Sequence, residues 1–322
     1  MTETTTRSEE VLIQDFESDK AHNESESTAK THSTNLELFR KWLSTERDKQ
    51  LLEAQKRDVR EYLRELKADD YANKTIGIRY TAVQVFYRWL ESEGAIAESP
   101  TENLKSGVDT SISRKEEELR SDTPPAVTER EKELLCENIP NPKLRNELII
   151  RVLFQTGIRA KELRNIRLND LDREERSILI DDAKSNKYRK VYYNDLEPWI
   201  SEWLDRGNRA SLRPASESEY LFLTNRSKKL SMNRPNRTVR QAAENAGIQE
   251  TLYTDQQGGE RKRITTHSLR HGFARHCVQN GMDISYLQEL LGHENLETTK
   301  VYLNFTDQDK RDALRKYGPS PN

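Results

Sequence analysis

Apolar residues recur at helical spacing along most of the chain. Leu36, Phe39, Trp42 and Leu43 open the pattern, and Val59, Tyr62, Leu63 and Leu66 repeat it. Ile76, Tyr80, Val83, Tyr87 and Leu90 then form one stripe behind Asn73, a candidate N-cap. These runs predict a compact helical domain over 28–105. Residues 1–27 are rich in Thr, Glu, Ser and Asp with almost no large apolar groups, which predicts a disordered acidic tail. The stretch 106–125, SGVDTSISRKEEELRSDTPP, combines small polar residues, a charge run and a proline pair, so it reads as an interdomain linker.

The pattern of the second domain, 126–322, is mixed. Thr128 and Glu131 have capping-box spacing, and an apolar helix through Leu144, Leu148, Ile149, Val152 and Leu153 stops at Gly157. SILIDD and YRKVYY alternate like two short strands, with AKSNK as a turn between or beside their ends. Residues 195–204 read as an amphipathic helix with Trp199 and Trp203 in the core, 206–219 as a loop, YLFLT as a short apolar strand and 233–246 as another helix. QQGGERKR, 256–263, reads as a basic loop. A helix carrying Leu269, Phe273 and Val278 closes at Gly281, and one carrying Ile284, Leu287, Leu290 and Leu291 closes at Gly292. ETTKVYL and TDQDKRDALRKYG read as two further short helices. The fold class is therefore mainly α with a small β-sheet, in two domains.

Composition narrows the classes. No apolar run approaches the roughly 20 residues that span a bilayer, and the acidic start MTETTTRSEE is no signal peptide, so a cytoplasmic protein without membrane attachment is expected. Cys136 and Cys277 are too few and too far apart for a disulfide framework or a cysteine zinc site, and are expected as buried thiols. The net charge of −2 argues against a nucleic-acid partner until its distribution is considered. Residues 1–27 hold eight acids and two bases, a net of −6, which leaves +4 for 28–322. A groove can be basic on a protein that is neutral overall.

The candidate chemistry lies in 266–305, which contains four of the six histidines. His267 and Arg270, three apart, share a helix face away from the apolar one. Gly292 lets His293 turn back toward that helix, and Tyr302 follows nine residues later. An arginine fork matches phosphate oxygens, histidine shuttles protons near neutral pH, and tyrosine attacks phosphorus when its oxyanion is stabilised. The set suits a phosphodiester. His267 and His271 are also an i, i+4 pair, which raises a metal site. No glutamate follows His267 as a zinc-hydrolase motif requires, and Arg270 repels a cation, so no metal is expected. His271 and His276 are read as structural or DNA-facing. Taken singly, Tyr302 is a core tyrosine on an amphipathic helix.

The HSLRH box, the LLGH box and the trailing Tyr302 resemble the C-terminal signature of the tyrosine recombinases, or phage integrase family. TGIRAKEL matches that family's first arginine box: TG, an apolar residue, Arg159, then Glu and Leu three and four residues on. Arg159, Lys184, His267, Arg270, His293 and Tyr302 thus stand in family order. The resemblance implies two domains that clamp double-stranded DNA, with Tyr302 as nucleophile and a 3′-phosphotyrosyl intermediate. It implies that Arg159 and Arg270 neutralise the phosphate, that His293 adds a hydrogen bond, that His267 takes the nucleophile's proton and that Lys184 protonates the leaving oxygen, with Lys187 as the competitor for that role. Glu162 would orient Arg159, against the alternative of a surface salt bridge. Lys74, Thr75 and Arg79 lie where related proteins set a helix on DNA, and Arg234, Arg237 and Arg240 form an i, i+3, i+6 basic stripe; both also read as solvated helix faces. The resemblance further implies no cofactor, no small-molecule ligand, a homo-tetramer on two DNA sites and a C-terminal segment that packs on a neighbouring subunit. The same residues would also serve a type IB topoisomerase, and a noncatalytic DNA-binding relative would ignore Tyr302.

Overall fold

A computed structural model describes residues 8–104, 124–182, 187–254, 259–293 and 299, without the side chains of 182 and 187. The chain forms two compact units, 1–120 and 121–322.

The first unit is helical. Its elements are α1 (Glu9–Asn23), α2 (Glu26–Arg47), α3 (Lys56–Ala68) and α4 (Asn73–Ser92). The three apolar runs read from the sequence supply its core: Leu36, Phe39 and Leu43 of α2, Val59, Tyr62, Leu63 and Leu66 of α3, and the whole α4 stripe are buried. Asn73 is the first residue of α4 rather than its cap; the N-cap is Ala72, with no side-chain hydrogen bond.

The expectation of a disordered tail over 1–27 is corrected by α1. Ser8 caps this helix by accepting from Val11 N, and Leu12, Ile13 and Phe16 are buried. Phe16 is fully enclosed, 5.3 Å edge-on from Phe86 and 5.5 Å from Trp89. One well-placed aromatic and two aliphatics outweigh an acidic composition, because burying such side chains contributes roughly 1.5–3 kcal/mol each.

The second unit begins with α5 (Glu129–Glu137), where Thr128 and Glu131 make the capping box the spacing predicted. It continues through α6 (Lys143–Thr156), α7 (Ala160–Asn165), α8 (Glu197–Leu204), α9 (Arg234–Asn245), α10 (Thr266–Gln279) and α11 (Ile284–Leu291). Strands β1 (Leu171–Asp172), β2 (Ser177–Asp182) and β3 (Lys187–Tyr192) form an antiparallel sheet in the order 1-2-3. Ile178 pairs with Val191 and Ile180 with Arg189, turning Ile178, Ile180 and Val191 into the core. Trp203 is buried as expected. Trp199 is half-buried instead, with the Arg151 guanidinium 4.0 Å above its ring and its indole N–H donating to Glu147 at 2.8 Å.

Two loop and strand assignments change. YLFLT is not a strand: Leu221, Phe222 and Leu223 are buried in irregular chain. Its backbone is satisfied singly, Leu221 N donating to Ile166 O at 2.8 Å and Trp203 Nε1 to Leu221 O at 3.0 Å. The basic loop contributes β5 (Glu260–Lys262), which pairs with β4 (Thr251–Thr254) in an exposed hairpin. A ribbon with little burial shows no strong alternation to read. Residues 297–303 and 306–318, expected as helices, lie outside the described residues apart from Thr299. No helix among the described residues is long and apolar enough to cross a membrane.

Candidate active site

The site assembles around the last turn of α11. Gly157, after α6, and Gly292, after α11, both take the left-handed conformation (φ 65° and 63°), which glycine adopts without steric penalty. A Cβ on Gly157 would come within 2.3 Å of the Phe273 ring. The tight turn there sends the chain directly into Arg159, the N-cap residue of α7.

Arg270, on α10, is buried. Its Nη1 donates to Gly157 O at 2.7 Å, its Nη2 to Leu291 O at 2.7 Å, and its Nη2 also lies 2.8 Å from His293 Nε2. Guanidinium only donates, so His293 Nε2 accepts and its Nδ1–H points to Thr299 Oγ1 at 2.8 Å. That tautomer fits the electrostatics. Burial first, then the charges of Arg270, Arg159 and Arg189, push the His293 pKa down to about 4. Backbone contacts with Gln288 fix the residue further, His293 N donating to its O at 3.1 Å and Gln288 Nε2 to His293 O at 3.0 Å.

Arg159 keeps a partly open side chain, 38% exposed. Its Nη1 donates to Glu162 Oε1 at 2.9 Å and its Nη2 to Gly292 O at 3.3 Å. Glu162 is buried, which rules out the surface-salt-bridge reading. Burial alone would raise its pKa, but Arg189 and Arg159 together hold it below the ordinary carboxylate value. Arg189 was absent from the predicted set. It donates to both Glu162 oxygens, at 3.2 and 2.8 Å, and to Leu290 O at 2.9 Å. A signal existed, since Arg189 shares the inward side of β3 with Val191, an unusual place for a charge.

His267 stands exposed at the start of α10. Desolvation first, then the charges of Arg270 and Arg159, lower its pKa. His271 is half-buried, 5.8 Å from His267 between ring centroids, and its pKa is pushed down to about 4 by burial, then by His267 and Arg270. His276 is exposed, 3.8 Å from Glu129. Among the described residues no cluster of three His, Cys, Asp or Glu could hold a metal. Lys184 and Tyr302 lie outside the described residues, as does the side chain of Lys187. Arg159, Glu162, Arg270 and His293 are thus brought into one network, with His267 beside it.

The proposed DNA contacts divide. Lys74 is exposed and Thr75 half-buried at the start of α4, but Arg79 is buried, which corrects its assignment as a DNA contact. Its guanidinium packs 4.2 Å over the Tyr71 ring, an aromatic seat within a buried position. On α9, Arg237 is exposed and Arg234 and Arg240 are half-exposed. Asn236 of the same helix accepts from Thr266 N at 3.2 Å, tying the start of α9 to the start of α10. The thiols are free; burial raises Cys136 to about 12 and Cys277 to about 11, with Cys277 buried and Cys136 half-buried.

Residues 126–309 match the profile of the Phage integrase family, and 14–94 match the Phage integrase N-terminal SAM-like domain. The tyrosine recombinase XerA of Thermococcus onnurineus is 30% identical over 268 residues, 82% of each chain. The tyrosine recombinase XerC of Oceanobacillus iheyensis is 29% identical over 306 residues, 93% of this chain and 92% of that one. The crystal structure of XerH site-specific recombinase bound to difH substrate, a pre-cleavage complex, superposes with a TM-score of 0.65 at 22% identity, covering 96% of this chain and 85% of that one. The profile match spans more than half of the chain. This chain belongs to the phage integrase family, the tyrosine recombinases.

Proposed function

We propose that this protein is a site-specific DNA recombinase that breaks and rejoins strands without cofactor, with Tyr302 as nucleophile. The observation that carries the reading is the convergence of Arg159, Arg270 and His293 on one turn, with Glu162 buried as the counter-charge of Arg159. Tyr302 Oη attacks the scissile phosphorus as the bond to the 5′-oxygen breaks, forming the 3′-phosphotyrosyl link and a 5′-hydroxyl. The tyrosine proton passes to His267, whose lowered pKa keeps it neutral and able to accept at pH 7. Lys184 donates the proton that the 5′-oxygen takes up. Arg159 and Arg270 neutralise the nonbridging oxygens, and preorganised charge of this kind is usually the largest contribution. His293 holds the Arg270 fork through Nε2; a direct bond from His293 to phosphate would require that contact to exchange. Attack by a partner's 5′-hydroxyl reverses the step. Double-stranded DNA is the partner, a homo-tetramer on two DNA sites is the working assembly, and Lys74, Thr75, Arg234, Arg237 and Arg240 contribute backbone contacts.

A denaturing gel of the purified protein with nicked fragments of its host DNA tests the chemistry. A detergent-resistant slow band is expected with wild type and not with Tyr302→Phe. A band that persists in the variant removes Tyr302 as nucleophile. Relaxation of supercoiled plasmid lacking any recovered site would instead favour the topoisomerase activity.

A further inference from the structure

Three guanidiniums from three separate elements take three consecutive carbonyls at the end of α11. Arg189 Nε donates to Leu290 O at 2.9 Å, Arg270 Nη2 to Leu291 O at 2.7 Å and Arg159 Nη2 to Gly292 O at 3.3 Å. The last carbonyls of a helix lack intrahelical partners and carry the negative end of its dipole, so cations there are favoured. Two of these arginines belong to the phosphate-binding set. Arg189 does not, yet it is the best enclosed of the side chains on Glu162, 11% exposed against 38% for Arg159.

Its fork is used in three directions at once: two Nη groups on the Glu162 carboxylate and Nε on the helix end. A lysine ammonium has no such planar geometry. The guanidinium also lies flat against Gly292, where a Cβ would come within 2.9 Å of Nη1. Charge balance adds a second argument. A buried Arg159–Glu162 pair alone sums to zero, whereas with Arg189 the trio carries +1, leaving Arg159 attractive to a phosphate.

We infer that Arg189 is a positioning residue for strand cleavage, locking the last turn of α11, and with it His293 and the carbonyl that anchors Arg270, against the Arg159–Glu162 pair. This rests on the recombinase reading above. It predicts a loss in the chemical step rather than in DNA affinity.

The test compares wild type with Arg189→Lys, Arg189→Met and the double variant Glu162→Gln/Arg189→Met. Single-turnover adduct formation on a nicked duplex, DNA affinity at fixed salt and amide hydrogen exchange are measured on each full-length protein. Arg189→Lys should keep its DNA Kd within about 3-fold while adduct formation slows by about 10-fold or more, since misplacing catalytic groups affects the rate. The double variant should regain part of the rate lost in Arg189→Met, because Glu162→Gln removes the negative charge that would otherwise cancel Arg159. Exchange at the Gly292 and His293 amides should accelerate while 269–274 of α10 stay unchanged. Wild-type rate with wild-type exchange in Arg189→Lys overturns the inference. So does acceleration spread evenly over α10 and α11, which would make Arg189 a general stability residue. If wild type forms no adduct, the recombinase reading fails separately, and exchange at 292–293 still decides whether Arg189 locks the turn.

Discussion

Arg270 is the residue on which most of the site's geometry depends. This buried cation donates to two backbone carbonyls and contacts one imidazole, so main chain that glycine turns bring close helps to set its orientation. The surrounding histidines are in turn kept neutral. Their lowered pKa values carry a stability consequence whose sign is fixed by linkage. His271 and His293 sit at about 4 when folded and near 6.5 when unfolded, so the unfolded chain binds more protons between those values. Stability should be level with respect to these groups above pH 6.5 and decline as pH falls through 6.5 toward 4. Glu162, also lowered, adds loss of the same sign. Urea unfolding at pH 7 and pH 5 should therefore show a smaller drop for His271→Gln/His293→Gln than for wild type. An equal drop in both proteins would assign the acid sensitivity to carboxylates alone.

At the scale of elements, helix faces decide which charges are available. Lys74 and Arg79 lie on the same helix, five residues apart, and α4 turns the first outward and the second against Tyr71. Lys74→Ala should leave the thermal midpoint unchanged and reduce the slope of log affinity against log salt by about 1, as the loss of one phosphate contact does. Arg79→Ala should lower the midpoint and leave that slope intact. The reverse assignment of the two effects, read from melting curves and salt titrations, would restore Arg79 as the DNA contact. Helix periodicity identified α4 and its buried stripe correctly, because a stripe of large apolar residues has one way to be satisfied. It could not place Arg79, since a long amphipathic side chain at the stripe's edge can pack its guanidinium on an aromatic ring or extend it to water. Similarly, the inward parity of Arg189 on β3 was visible, but its partner Glu162 lies 27 residues earlier on another element.

At the scale of the whole molecule, the acidic N-terminal stretch is structural. Phe16 is enclosed by Phe86 and Trp89, so Phe16→Ala should destabilise the first unit by about 3–5 kcal/mol. Chemical unfolding followed by tryptophan fluorescence reads this directly, and a loss below roughly 1 kcal/mol, the size expected away from a packed core, would mean that α1 is dispensable. Removing 1–27 as a tail should have the same effect. By itself the sequence determined the helix and strand periods, the family's ordered boxes and hence the chemistry, because these are local spacings and residue types. Only the tertiary structure decided that α1 joins the core, that Glu162 is buried between two arginines, and that Arg189, Arg159 and Arg270 share one helix end. Those outcomes depend on contacts between residues far apart in the chain, and pairing energies of that kind leave no periodic trace in sequence.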